Sequence, residues 1–80
     1  MYLHVGNGLC LNDDDIIAIF DIDSIKDTKE YENFYNKFLE EKKIIDFSKG
    51  NGKSLILVDK NGNKKIYISN ISANTIGRRN

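Results

Sequence analysis

Residues 54–69 read Ser54-Leu55-Ile56-Leu57-Val58-Asp59-Lys60-Asn61-Gly62-Asn63-Lys64-Lys65-Ile66-Tyr67-Ile68-Ser69. Two apolar runs, 54–58 and 65–69, flank a polar segment centred on Asn61-Gly62, and an Asn-Gly pair supplies the positive-φ positions that a tight hairpin needs. The two runs are predicted to be antiparallel strands. In the second, Ile66 and Ile68 share one face while Lys65, Tyr67 and Ser69 share the other, so this strand should be half buried.

Upstream, Tyr31, Phe34, Tyr35, Phe38 and Leu39 recur at i, i+3, i+4, i+7 and i+8, one apolar stripe at the helical period. The spacing predicts a helix over 28–42, about 22 Å long at 1.5 Å per residue. Asp27 is the expected N-cap, with Glu30 reaching back as in a capping box. Lys42 and Lys43 suit the negative end of the helix dipole. The aromatic stripe reads as core, because platforms that stack nucleic-acid bases are usually displayed on sheets or loops.

Working outward, Tyr2-Leu3-His4-Val5 and Leu9-Cys10-Leu11 are two short strands around a Gly6-Asn7-Gly8 turn. Asn12-Asp13-Asp14-Asp15 is a polar bend. Ile16-Ile17-Ala18-Ile19-Phe20 is apolar on both parities, which predicts a central strand or one buried on both faces. Ile44-Ile45-Asp46-Phe47 is extended or a short strand, and residues 48–53 are a flexible basic loop. Ser72 is placed to cap a helical turn over 73–76, closing near Gly77 and followed by Arg78-Arg79. The predicted fold is α+β: a small antiparallel sheet in β-β-β-α-β-β order, one amphipathic helix and a short C-terminal helical turn.

Eighty residues allow one hydrophobic core, so a single domain over 1–80 is expected, with oligomerisation as a natural source of added stability. The single cysteine, Cys10, excludes an intramolecular disulfide and suits a reducing, cytoplasmic setting. No signal-peptide pattern and no run of about 18 apolar residues occurs, so no membrane contact is expected. Twelve basic and twelve acidic residues give zero net charge. Residues 1–40, however, carry nine acids and three bases, and residues 41–80 carry three acids and nine bases. Such asymmetry suits a polyanion, or subunits that attract head to tail, if the two halves occupy different faces.

Catalytic signatures are missing: there is no P-loop, GxGxxG, GxSxG or CxxC. A pocket for a drug-sized substrate needs about 300 Å³, which is difficult to enclose in so small a chain. No enzyme activity and no cofactor are expected. Asp13, Asp14 and Asp15 lack the alternating ligands of a calcium loop, so they read as an anionic turn and not as a metal site. His4 and Cys10 lie on neighbouring strands without an orienting third group, and read as a strand histidine and a small buried thiol. The polar element best suited to phosphate is Lys49-Gly50-Asn51-Gly52-Lys53, where glycines permit close backbone approach and two lysines supply charge. A solvated surface loop is its plain alternative.

Tyr2-Leu3-His4-Val5-Gly6, Asp15-Ile16-Ile17-Ala18-Ile19-Phe20-Asp21, Lys53-Ser54-Leu55-Ile56-Leu57 and Ile66-Tyr67-Ile68-Ser69, followed by 72–79, carry a resemblance across nearly the whole chain. Together they resemble the bacterial extracellular matrix regulatory proteins, the Rem family, and the RemB-type branch more than the RemA-type. The resemblance implies a DNA-associated regulator of biofilm matrix genes in Gram-positive bacteria, its small subunits assembled into rings. In the RemA-type branch, DNA contact is attributed to arginines before the third strand and in the loop after the helix. At the first place this chain has Asp14 or Asp15. At the second, the lysines of Lys49-Gly50-Asn51-Gly52-Lys53 replace an arginine pair.

Two expectations follow. In the first, a ring-forming transcriptional regulator sets Lys49, Lys53, Arg78 and Arg79 against the phosphates of double-stranded DNA, with weak contacts added by repetition around the ring. In the second, an interaction module of the same fold does not bind DNA directly. Asp13, Asp14 and Asp15 then meet a partner's lysines at a subunit interface, in a homo-oligomer or with a related basic subunit. Open strand edges and heterologous contacts suit either assembly.

Overall fold

The structure is a computed structural model that describes the backbone of residues 1–79 and the side chains of residues 1–77. Its elements are β1 (Tyr2–Gly6), β2 (Leu9–Asn12), a 3-10 turn (Asp13–Asp15), β3 (Ile16–Asp21), α1 (Ile22–Ile25), α2 (Lys29–Glu40), β4 (Ile44–Asp46), β5 (Ser54–Lys60), β6 (Asn63–Ser69) and α3 (Ala73–Arg79). The predicted α+β class and β-β-β-α-β-β order stand; α1 is added, and the segment read as extended or a short strand is β4. Strands β3-β5-β6-β4 form a four-stranded sheet, and β1-β2 a separate hairpin. The β3/β5 and β5/β6 pairs are antiparallel, whereas β4 joins β6 in parallel.

The Asn-Gly signal acts as expected. Asn61 and Gly62 take φ of 55° and 88°, and the Asp59 carboxylate accepts from the Gly62 N–H at 2.9 Å. The turn is so tight that Lys60 pairs with Asn63, which extends both strands past their apolar runs into solvent. The β1-β2 turn repeats the device, with Asn7 and Gly8 at φ of 51° and 76°.

Strict alternation along β5 and β6 divides the core between two faces. On one face α2 lays Tyr31, Phe34, Tyr35 and Phe38 over Leu55, Ile66 and Ile68, with Ile22 beside them. Its aromatic rows stay in ring contact, Phe34 to Phe38 at 4.9 Å and Tyr31 to Tyr35 at 5.9 Å between centroids. On the opposite face, the β1-β2 hairpin and α3 bring Val5 and Ile76 against Ile56 and Val58. The sheet is thus the middle layer of three, and each cover buries one apolar set.

Several expectations are corrected. Thr28, not Asp27, is the N-cap of α2: its backbone is extended, and its hydroxyl accepts from the Tyr31 N–H at 3.1 Å while donating to the Ile25 carbonyl at 2.8 Å. The helix stops at Glu40 because Lys42 turns to φ 57°. Leu39 leaves the stripe and is 54 % exposed. Strand β3 is an edge strand and not a central one. Its register shifts between Ile16 and Ala18, and Ile17 is 52 % exposed. Across this shift Ile16 and Ile19 both pack against the hairpin-side core, while Ile17 and Phe20 stay partly exposed. Helix α3 runs through Arg79 instead of closing near Gly77. Among the described residues, no helix is long and apolar enough to cross a membrane.

Candidate nucleic-acid interface

The lysine-flanked loop joins β4 to β5 and is braced at both ends, which corrects the expectation of a flexible segment. At its start the Asp46 carboxylate accepts from the Ser48 N–H at 2.9 Å and from the Ser48 hydroxyl at 2.6 Å. Ser48 is buried, and its carbonyl accepts from the Asn51 N–H at 3.2 Å to close the turn. Lys49 and Gly50 both take positive φ, 57° and 83°. At its end, Lys53 donates its N–H to the Ser69 carbonyl at 2.8 Å and accepts from the Ile22 N–H at 3.0 Å. Gly52 lies so close to Ile68 that a Cβ would come within 2.9 Å of the Ile68 Cγ2. A short exposed arc remains, carrying the ammonium groups of Lys49 and Lys53 on a fixed base.

Asp13, Asp14 and Asp15 sit elsewhere. Ile16 at the start of β3 pairs with Val58, and Asp21 at its end pairs with Ser54, next to the loop. The acidic turn and the loop are therefore separated by the length of β3, about 17 Å at 3.3–3.4 Å per residue. That exceeds the screening length of about 8 Å at physiological salt, so the acids do not cancel the two lysines. Asp13 faces the Met1 amino group at 3.3 Å, and the Asn12 side chain accepts from the Asp14 N–H at 3.0 Å. Asp15 opens onto a groove of about 590 Å³ that Lys60, Lys65, Tyr2 and Tyr67 also line. Asp15 of the first half and two lysines of the second meet there, so opposite charges of the two halves mix in this groove.

Arg78 and Arg79 lie on α3, whose first turn is capped by Ser72 accepting from the Thr75 N–H at 3.2 Å. Their side chains lie outside the described residues. His4 and Cys10 stand opposite each other on β1 and β2. Cys10 is exposed, not buried as expected, because the hairpin turns Leu9 and Leu11 inward against the sheet. Among the described residues, no group of three or more His, Cys, Asp or Glu could hold a metal ion.

Burial raises the titration of the Tyr31 hydroxyl, with Tyr35 and the Asp46 carboxylate adding in the same direction. Asp46 and Gly52, which fix the loop, escape a reading based on charge alone. The Asp-x-Ser spacing was the available signal for the first, since a carboxylate two residues ahead of an N–H favours this turn. Lys60 and Lys65 were visible only as strand residues, and the hairpin brings them to the groove.

None of the curated proteins compared with the chain matches it. The family comparison does: residues 2–79 match the RemA-like family, described as extracellular matrix regulatory protein A-like. With the match spanning nearly the whole three-layered domain, the chain belongs to the RemA-like family of extracellular matrix regulatory proteins.

Proposed function

We propose that the protein is a ring-forming, non-enzymatic regulator of extracellular matrix (biofilm) genes that acts in the cytoplasm by binding double-stranded DNA through its basic loop. Its family is regulatory and not an enzyme family. The observation that carries the DNA reading is the braced Lys49–Lys53 arc, since a fixed turn presents two cations to phosphates with little ordering cost on binding. Such contacts neutralise the backbone and specify little sequence. A ring would repeat the arc once per subunit and sum weak contacts. Arg78 and Arg79 are proposed to add to the same charge. Within the family, the chain is proposed to fall with the RemB-type branch.

Fluorescence anisotropy of a labelled duplex at about 50 and 200 mM salt tests this, because affinity should fall steeply with a slope of about 0.9 per phosphate contact. Lys49→Ala with Lys53→Ala should weaken binding and flatten that slope. Unchanged affinity and slope would remove the loop from the interface.

The acidic turn favours a second reading, an oligomeric interaction module that does not touch DNA and uses Asp13, Asp14 and Asp15 against a partner's lysines, in its own kind or in a related basic subunit. No DNA binding at low salt, with self-association intact, would select it.

A further inference from the structure

An asparagine followed by glycine is prone to cyclise, because the glycine nitrogen has no side chain beside it to hinder attack on the asparagine carboxamide. The chain has three such pairs, Asn7-Gly8, Asn51-Gly52 and Asn61-Gly62. Their surroundings separate them. In the β5-β6 turn the Gly62 N–H, which would be the attacking group, donates to the Asp59 carboxylate at 2.9 Å. That bond occupies the nucleophile, and the negative charge beside it disfavours loss of its proton. In the β1-β2 turn the electrophile is tied instead. The Asn7 carboxamide nitrogen donates to the Phe47 carbonyl at 2.8 Å, so cyclisation there must first break a bond that holds the hairpin to the segment after β4.

Asn51-Gly52 has neither restraint. Asn51 is exposed and lies outside helix and strand. Among the described residues, its carboxamide and the Gly52 N–H have no hydrogen-bond partner. The bracing of the loop falls on either side, from the Asn51 N–H to the Ser48 carbonyl at 3.2 Å and from the Lys53 N–H to the Ser69 carbonyl at 2.8 Å. The peptide between Asn51 and Gly52 is left unbonded. Packing against Ile68 excludes a Cβ at Gly52, so the fold requires glycine at the position that makes the pair reactive. Lys49 and Lys53 stand two residues to either side, at most about 7 Å along the chain. Cations at that range favour the anionic nitrogen and the oxyanion through which ring closure passes.

We propose that Asn51-Gly52 is a self-modification site, the one of the three pairs that deamidates in the folded protein. The Gly52 nitrogen attacks the side-chain carbonyl carbon of Asn51, and the new C–N bond replaces the bond to the amide nitrogen. That nitrogen leaves as ammonia with the Gly52 proton. One water then opens the five-membered ring to aspartate or isoaspartate, and nothing is oxidised or reduced. The product is a carboxylate, ionised at neutral pH, set between two lysines and inside the screening length of about 8 Å. It offsets one of the two positive charges of the loop, and the isoaspartate form also lengthens the backbone by a methylene. The modification stands apart from any partner, whereas its effect on phosphate binding rests on the DNA reading above. On that reading the reaction is a one-way brake that needs no enzyme and advances with the age of the molecule.

The test incubates the folded protein at mildly alkaline pH, beside a sample unfolded in concentrated urea at the same pH. Tandem mass spectrometry of proteolytic fragments locates each exchange of NH₂ for OH over time. In urea the three pairs should convert at similar rates. In the folded protein Asn51 should keep converting while Asn7 and Asn61 fall about tenfold or more behind it, because each must first open a hydrogen bond. An Asn51 that stays intact in the folded protein while it converts in urea overturns the proposal. Conversion of Asn7 or Asn61 at the rate of Asn51 in the folded protein overturns it too. The brake is read separately, with Asn51→Asp in the anisotropy titration. Affinity for the duplex should fall, and the salt slope should drop by about 0.9 for each loop engaged. Unchanged binding by Asn51→Asp, where the parent protein binds, overturns the brake. A parent protein that binds no DNA overturns the DNA reading, and the mass measurement still decides the modification.

Discussion

Tyr31 shows how one side chain ties the candidate site to the fold. Its ring packs in the core under α2, and its hydroxyl titrates above the ordinary value because burial, then Tyr35 and Asp46, disfavour the phenolate. A raised value means that the folded state holds the neutral form. The resulting stability is complete below the unfolded-state value of about 10 and is lost as pH rises through the folded-state value. Urea midpoints should therefore fall more steeply in alkali for the native protein than for Tyr31→Phe, and equal slopes would refute the assignment. Individual residues were unevenly legible. Asn61-Gly62 named its own turn, because few residues accept two successive positive φ angles. The N-cap was displaced by one position because Asp27 and Thr28 are both good caps. Only the backbone decides, by leaving Thr28 extended and the following residue helical.

At the scale of elements, the helix and the β5-β6 hairpin were legible because each carries its period within one segment. The role of β3 was not. Apolar residues on both parities report that both faces avoid water, and a single sequence does not say whether a neighbouring strand or another molecule covers them. The added element α1 is four residues long, too short for a period to register, and the three residues of β4 left the choice between extended chain and strand open. The hairpin offers a direct check. Gly62 takes φ of 88° with open space where a Cβ would sit, so Gly62→Ala should cost about 1 kcal/mol through backbone strain alone. The urea midpoint should fall with an unchanged m-value. An unaffected midpoint would mean that the turn is not held in this conformation.

For the whole molecule, charge was the least legible property. The contrast between the acidic and basic halves suggested a dipole, yet β3 of the first half lies against β5 of the second, and Asp15 shares a groove with Lys60 and Lys65. Local clusters survive this mixing where the average does not. The acidic turn before β3, the lysines before β4 and the lysine loop are each confined to a few residues. Self-association also makes a prediction at this scale. A ring links folding to assembly by mass action, so the thermal midpoint should rise with protein concentration. A midpoint constant over a hundredfold range would count against it.

The Ser69 hydroxyl donates to the Val5 carbonyl at 2.6 Å across 64 positions of the chain, and Val5 and Ile76 are both fully buried in one cluster. The first strand and the last helix thus complete the same face of the sheet. During synthesis, which proceeds from the N-terminus, the ribosome releases the aromatic helix and its strands before α3. The face formed by Ile56 and Val58 has the β1-β2 hairpin as its only cover until α3 emerges. The nascent chain therefore has a window in which one face of its sheet is only partly covered, and α3 is the element that completes it.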